Sequence, residues 1–74
     1  MSKINMRFAG EVTAENLKAR VIRMLEVKGS PKAAEQFKNR VKNITNFRDV
    51  YEEACSFVIF PEETISFFIE EGVM

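Results

Sequence analysis

The sequence predicts a small, mainly α-helical domain that spans residues 1–74 and begins with a short strand. A glycine and a Ser-Pro pair separate two helical patterns, a third segment repeats apolar residues at helical spacing, and the first residues alternate. With 46% hydrophobic residues, 30% charged residues and few Gly or Pro, the composition is typical of a folded chain. A chain of 74 residues buries only about 60% of its unfolded surface, so self-association would support its thin core.

The N-terminal residues have the pattern of a half-buried strand. Ile4, Met6 and Phe8 alternate with polar residues, which places them on one face, and Gly10 would end the strand. A lone strand needs a partner edge, which another part of the chain would have to supply.

The first helix is predicted at about 14–28. The Thr13 hydroxyl can cap its first turn, and Gly29 is well suited to the left-handed residue that ends a helix. The face predicted to be apolar carries Leu17, Val21, Met24 and Leu25.

The second helix is predicted at about 31–44. Ser30 can serve as its N-cap and Pro31 as its first residue, where the missing N–H costs nothing. Because so short a connection joins the two helices, they should form an αα-hairpin. The inner face of the second helix carries Ala34, Phe37, Val41 and Ile44.

A third amphipathic helix is predicted after Asn46, which can cap it. Arg48 and Glu52 can pair at i, i+4 on its polar side. The apolar side follows the i, i+3, i+4, i+7 rule through Phe47, Val50, Tyr51, Ala54, Phe57 and Val58.

Two structures compete for the C-terminal segment. Pro61-Glu62-Glu63 resembles the first turn of a helix, but the β-rich stretches 56–60 and 64–69 could instead form a hairpin around it. That hairpin would pair with the N-terminal strand and give an α+β fold. We favour the helix, because Phe57 and Val58 complete the stripe of the third helix and leave little chain for a hairpin.

The composition argues against catalysis and cofactor binding. The chain has no His to act as a base near neutral pH, no Gly-rich phosphate loop and too little length to enclose a pocket. Cys55 is its single cysteine, which leaves too few soft ligands for zinc and excludes a disulfide within the chain. We therefore expect neither an enzyme nor a small-molecule substrate, and a structural, half-buried role for Cys55.

Several sequence features predict a cytoplasmic protein. No segment reaches the roughly 20 apolar residues that span a bilayer, and the N-terminus lacks the apolar core of a signal peptide. A single cysteine also fits a reducing compartment.

The charges are strongly segregated along the chain. Residues 1–48 carry all eleven Lys and Arg against four Glu, a net charge of +7, whereas residues 49–74 carry seven acids and no base. Such asymmetry is typical of interaction surfaces. Two interpretations follow from it, one for each part of the chain.

The basic helical hairpin suggests nucleic-acid binding, our second hypothesis. The polar residues of its second helix are of the types that contact phosphates and base edges. The candidate contacts are Lys38, Asn39, Arg40, Lys42 and Asn43.

The acidic last third carries more apolar residues than a small core can readily bury, and exposed apolar patches mark interfaces. Ile59 or Phe60, together with Phe67, should point away from the main helical face. Our first hypothesis is therefore a non-catalytic protein–protein interaction module (a small regulator, adaptor or inhibitor) that binds a protein partner or itself as a homodimer. The candidate anchors are Phe60, Phe67, Phe68 and Ile69, and the candidate charged rim is Glu62, Glu63, Glu70 and Glu71.

Overall fold

The fold is mainly helical, as the sequence predicts. The structure is a computed structural model that describes residues 4–73, so Lys3 in the predicted strand pattern and Met74 lie outside the described residues. The elements run in the order β1 (Ile4–Asn5), α1 (Ala14–Lys28), α2 (Pro31–Val41), α3 (Phe47–Ala54), β2 (Val58–Ile59) and α4 (Glu62–Glu70).

Side-chain caps start the first three helices at the predicted residues. Thr13 Oγ1 and Ser30 Oγ each accept a hydrogen bond of 3.1 Å from a first-turn backbone N–H, and Asn46 Oδ1 accepts one of 2.8 Å. Pro31 occupies the first turn of α2, also as predicted. These caps satisfy backbone donors that have no partner inside the helix.

Gly29 ends α1 by a mechanism that differs from the prediction. Its φ is −106° and its ψ is −128°, so it is not left-handed, and its N–H donates to the Leu25 carbonyl at 2.9 Å. A Cβ at this position would lie only 2.9 Å from that carbonyl oxygen. The glycine is therefore required by the close approach of the backbone, which lets α2 begin two residues later.

The predicted extensions of α2 and α3 are wrong. α2 ends at Val41 rather than at residue 44, and a turn follows in which Ile44 N–H donates to the Val41 carbonyl. α3 ends at Ala54, so Phe57 and Val58 do not continue its stripe. The predicted Arg48–Glu52 pair is confirmed at 3.6 Å.

The strand pairing differs from both C-terminal alternatives. β2 pairs in parallel with β1, in the register Ile4 with Val58 and Asn5 with Ile59. The adjacent β-branched residues Val58 and Ile59 favour extended backbone. Because α3 ends before them, they can form the second strand of this sheet. The hairpin is wrong, because Pro61 occupies the N-cap position of α4, without a side-chain cap, instead of forming a turn between strands. The predicted C-terminal helix is confirmed.

Phe68 lies at the centre of an aromatic cluster in the core and is fully buried. The surrounding rings come from the segment after β1, from α3, from the residue before Pro61 and from α4 itself, with centroids 4.9–6.2 Å away. These rings belong to Phe8, Phe47, Tyr51, Phe60 and Phe67. Phe60 is buried as well, so neither of these two predicted anchors is accessible to a partner, and of the alternatives Ile59 or Phe60 it is Ile59 that is exposed.

Truncation of Phe68 should be among the most destabilising changes in the chain. We expect Phe68→Ala to lower the free energy of unfolding by about 3–5 kcal/mol, because it removes a buried ring and leaves a cavity. Urea denaturation followed by far-UV circular dichroism measures this loss.

Ile59→Ala is the matched control for Phe68→Ala, since Ile59 is also a large apolar residue, is 47% exposed and lies outside the core. It should change the free energy of unfolding by no more than about 0.5 kcal/mol. Equal losses in the two variants would contradict the placement of Phe68 at the centre of the core.

Candidate functional site

The outward side of α4 carries four of the eight predicted interaction residues. Successive helical residues are about 100° apart, which places Ser66 at the centre of this side with Glu62 and Glu70 flanking it. All three are exposed. We call this surface the acidic face of α4, and it comprises Glu62, Glu63, Ser66, Ile69 and Glu70.

The remaining predicted anchors lie on opposite flanks of α4. Phe67 and Ile69 are two residues apart, which separates them by roughly 160° around the helix. Phe67 is half-buried, with its ring centroid 6.2 Å from that of Phe68, whereas Ile69 is exposed. Of the two, Ile69 is therefore the accessible apolar residue of the acidic face, whereas Phe67 is only partly accessible on the other flank.

The carboxylates of the acidic face are poorly neutralised by their own chain. Glu63 lies 3.9 Å from Arg7 in an exposed pair, which contributes little stability. Within residues 4–73, no Lys or Arg nitrogen lies within 4.0 Å of the carboxylates of Glu62, Glu70 or Glu71. Glu71 follows α4 directly and extends the same negative surface.

The predicted nucleic-acid residues do not form one surface. Lys38 and Arg40 lie on opposite flanks of α2, roughly 160° apart. Lys38 Nζ is 3.9 Å from the carboxylates of Glu26 and Glu35. On the other flank, Arg40 donates to Glu53 at 3.2 Å, and its guanidinium lies over the Phe57 ring at 5.5 Å.

The outward side of α2 keeps part of the predicted polar set. Asn39 is exposed there, and the exposed Lys42 and Asn43 follow in the turn after α2. Lys32 lies on the same side as Asn39, about two helical turns earlier. Within the described part of the chain, no carboxylate oxygen lies within 4.0 Å of Lys32 or Lys42. These two cations are accessible, in contrast to Lys38 and Arg40.

A third surface, which sequence reasoning missed, is a groove between α1 and the residues that follow β1. It encloses about 220 Å³ and has both apolar and cationic walls. We call it the basic groove, and it is lined by Met6, Arg7, Arg20, Arg23, Met24, Val27 and Lys28.

The basic groove follows one face of α1. Arg20, Arg23, Met24 and Val27 stand at i, i+3, i+4 and i+7, so they form one continuous stripe. This spacing was the signal available in the sequence. In the sequence alone this stripe is indistinguishable from an ordinary solvent-exposed helix face. The structure shows that Met6 lies beside it and completes the groove.

The cations of the basic groove are largely free of carboxylates. The Arg20 guanidinium lies over the Phe8 ring at 6.0 Å. Among residues 4–73, no acidic oxygen lies within 4.0 Å of Arg20, Arg23 or Lys28. Val27 is 65% exposed at this site. The groove is thus suited to an anionic group attached to an apolar body.

Cys55 is half-buried at the end of α3, as predicted. Burial raises the pKa of the Tyr51 hydroxyl above its ordinary value, and a hydrogen bond and charge interaction with Cys55 raise this pKa further. The Tyr51 ring also stacks on Phe60, with centroids 5.1 Å apart. Tyr51 therefore links Cys55, at the end of α3, to the aromatic cluster.

The chain matches no protein-family model, no curated protein and no solved structure. Residues 4–73 contain no group of three or more His, Cys, Asp or Glu side chains that could hold a metal ion. Within the same range, no helix has both the length and the apolar character needed to cross a bilayer. The geometry and charge of the three surfaces therefore carry the functional interpretation.

Tyr51 offers a direct test of its environment, because it is the only tyrosine and the chain has no tryptophan. The absorbance of tyrosinate during an alkaline titration should give a higher midpoint in the folded protein than in the urea-unfolded chain. Because the folded state then binds more protons than the unfolded state, folding stability should fall as the pH rises from about 10.

Two variants separate the causes of this shift. Tyr51→Phe should abolish this group's share of the alkaline loss of stability, and Cys55→Ala should move the Tyr51 midpoint part of the way toward the unfolded value. Equal midpoints in the folded and unfolded wild-type chain would contradict the assignment.

Proposed function

We propose that this chain is a non-catalytic protein–protein interaction module, a small regulator, adaptor or inhibitor, that binds a protein partner through the acidic face of α4. One observation carries the proposal: the exposed Ile69 is combined with the carboxylates of Glu62 and Glu70, which lack a close cation among the described residues. Protein interfaces combine an apolar centre with a polar rim, and this face has both parts on one helix.

The charge of the face determines the kind of partner that it suits. Glu62 and Glu70 flank Ser66 on the outer side, and Glu71 extends the negative surface. Complementary charge raises association rates and favours a basic partner over others. Ile69 would supply the apolar contact, since burial of such a side chain contributes roughly 1.5–3 kcal/mol. The expected partner surface is therefore basic with an apolar pocket, and the single cysteine favours a reducing, cytoplasmic setting.

Site-specific photocrosslinking in the natural host tests this proposal. Ser66, at the centre of the acidic face, would be replaced by the photoreactive residue p-benzoylphenylalanine. We expect covalent adducts with a protein, either a second copy of the chain or another protein, and mass spectrometry would identify them. Ile69→Asp in the same chain should deplete these adducts, because it replaces the exposed apolar side chain of the contact with a charge.

The same photoreactive residue at Asn39 is the matched control, since Asn39 is exposed on the outward side of a different helix. It should give few adducts or a different set. No protein adduct from Ser66, or the same adducts from both positions, would refute binding through the acidic face.

The second candidate function is nucleic-acid binding through the outward side of α2. The observation that favours it is the pair of accessible cations, Lys32 and Lys42, on the side that presents Asn39 and Asn43. Phosphate contacts release counterions, so binding through such a surface should weaken steeply with added salt.

Fluorescence anisotropy with labelled duplex DNA and single-stranded RNA, at low and moderate salt, tests this second candidate. Lys32→Glu combined with Lys42→Glu should weaken binding at least about tenfold. Lys38→Glu is the control and should have a smaller effect, because Lys38 already lies near Glu26 and Glu35. An affinity unchanged by the double variant, or no binding at low salt, would exclude the surface.

A further inference from the structure

We propose that the acidic face of α4 binds the basic groove of a second copy of this chain, which makes the protein a two-fold symmetric homodimer. The inference rests on the proposed function and names the partner of the same surface. Each protomer would contribute its acidic face to the partner's groove and its groove to the partner's acidic face.

The chemistry of the two surfaces is complementary. The basic groove offers guanidinium and ammonium groups beside apolar side chains that include Met24 and Val27. The acidic face offers carboxylates around Ile69. On both surfaces the most exposed apolar side chain lies beside the charges, with Val27 65% and Ile69 57% exposed. Each surface therefore meets the requirement that the other sets for a partner.

The two surfaces are also neighbours on one protomer. Arg7 lines the basic groove, and its guanidinium is 3.9 Å from the carboxylate of Glu63 on α4. A positive patch beside a negative patch is self-complementary under a two-fold rotation, because the rotation places each patch opposite its counterpart. The contact between acidic face and groove then occurs twice, which doubles the area and the number of charge pairs.

The overall composition favours this occupant over an unrelated protein. The chain carries eleven basic and eleven acidic residues, so its charges can be neutralised fully within an assembly of identical chains. A domain of this size also has a thin core and commonly gains stability from oligomerisation. A second copy satisfies both conditions without a further component.

Two charge-reversed variants provide the decisive test. The first combines Arg20→Glu with Arg23→Glu in the basic groove, and the second combines Glu62→Lys with Glu70→Lys on the acidic face. Light scattering during size exclusion and sedimentation equilibrium give the molar mass and the dimer Kd. The wild-type chain should be a dimer that added salt weakens, and each variant alone should show a rise in Kd of about 100-fold or more.

An equimolar mixture of the two variants should recover the dimer. In the mixed dimer, the reversed groove meets the reversed acidic face, and the two unchanged surfaces meet each other, so both contacts are again between opposite charges. This recovery does not depend on which individual side chains pair. The single variants Arg23→Glu and Glu70→Lys repeat the test with a smaller perturbation if either double variant fails to fold by circular dichroism.

Lys32→Glu combined with Lys42→Glu is the matched control for the groove variant, because it makes the same change in net charge on the outward side of α2. It should leave the dimer Kd within about threefold of the wild-type value. A monomeric wild-type chain, no recovery in the mixture, or an equal effect of this control would overturn the inference. So would a wild-type monomer whose groove variants lose binding to duplex DNA or to anionic vesicles.

The inference and the proposed function can fail separately. If reversal of the acidic face dissociates the dimer but reversal of the groove does not, the groove assignment is overturned and the acidic face remains an interaction surface. If the wild-type chain is monomeric but Ser66 crosslinks to another protein, the second copy is overturned and the proposed function stands. If Ser66 gives no adduct and reversal of the acidic face leaves the molar mass unchanged, both are overturned.

Discussion

The burial of Phe68 is the constraint on which the rest of the structure depends. Its ring contacts aromatic rings from the N-terminal segment, α3 and the residues around α4, so it holds sequence-distant elements in one core. It also fixes the rotation of α4 about its own axis, because a helix that turns one residue inward must turn the opposite side outward. Ser66, about 160° away, therefore faces solvent with its flanking glutamates. Packing of the core thus determines which surface is available for binding.

Local signals made the helix starts predictable, whereas long-range pairing did not. Thr13, Ser30 and Asn46 each satisfy a backbone donor three residues away, so the sequence contains all that their caps require. Val58 fits the stripe of α3 equally well, yet it pairs with Ile4 across more than fifty residues of chain. No local pattern indicates that pairing, and a parallel pair needs the long crossover that three helices provide here. The end of α3 is therefore set by the sheet.

The sequence predicted the segment that carries the candidate site, but not which of its residues are accessible. The surplus of apolar residues in the last third indicated an interface, and Ile69 is exposed there. The number of apolar residues does not indicate which of them remain exposed, because edge-to-face packing lets several rings fill one small core. Phe60 and Phe68 are both buried in this way. The basic groove escaped detection for a different reason. Arg23 and Val27 lie on a helix face that looks solvated, and only the chain after β1 converts that face into a groove.

The charges that are segregated along the sequence are only partly segregated on the surface of the fold. The groups that keep no oppositely charged neighbour indicate where a partner could bind. Lys38 and Arg40 lie beside carboxylates of the same chain, whereas Arg23 and Glu70 have no oppositely charged group within 4.0 Å among residues 4–73. Exposed ion pairs contribute only about 0–1 kcal/mol each, so leaving such groups unpaired costs the fold little. Separated patches of opposite sign, in contrast, produce a field that extends over roughly a Debye length and can orient an approaching molecule. Charge that contributes little to the monomer's stability is thus free to select the partner in the proposed interface, where the apolar side chains beside it would supply the affinity that charge alone does not.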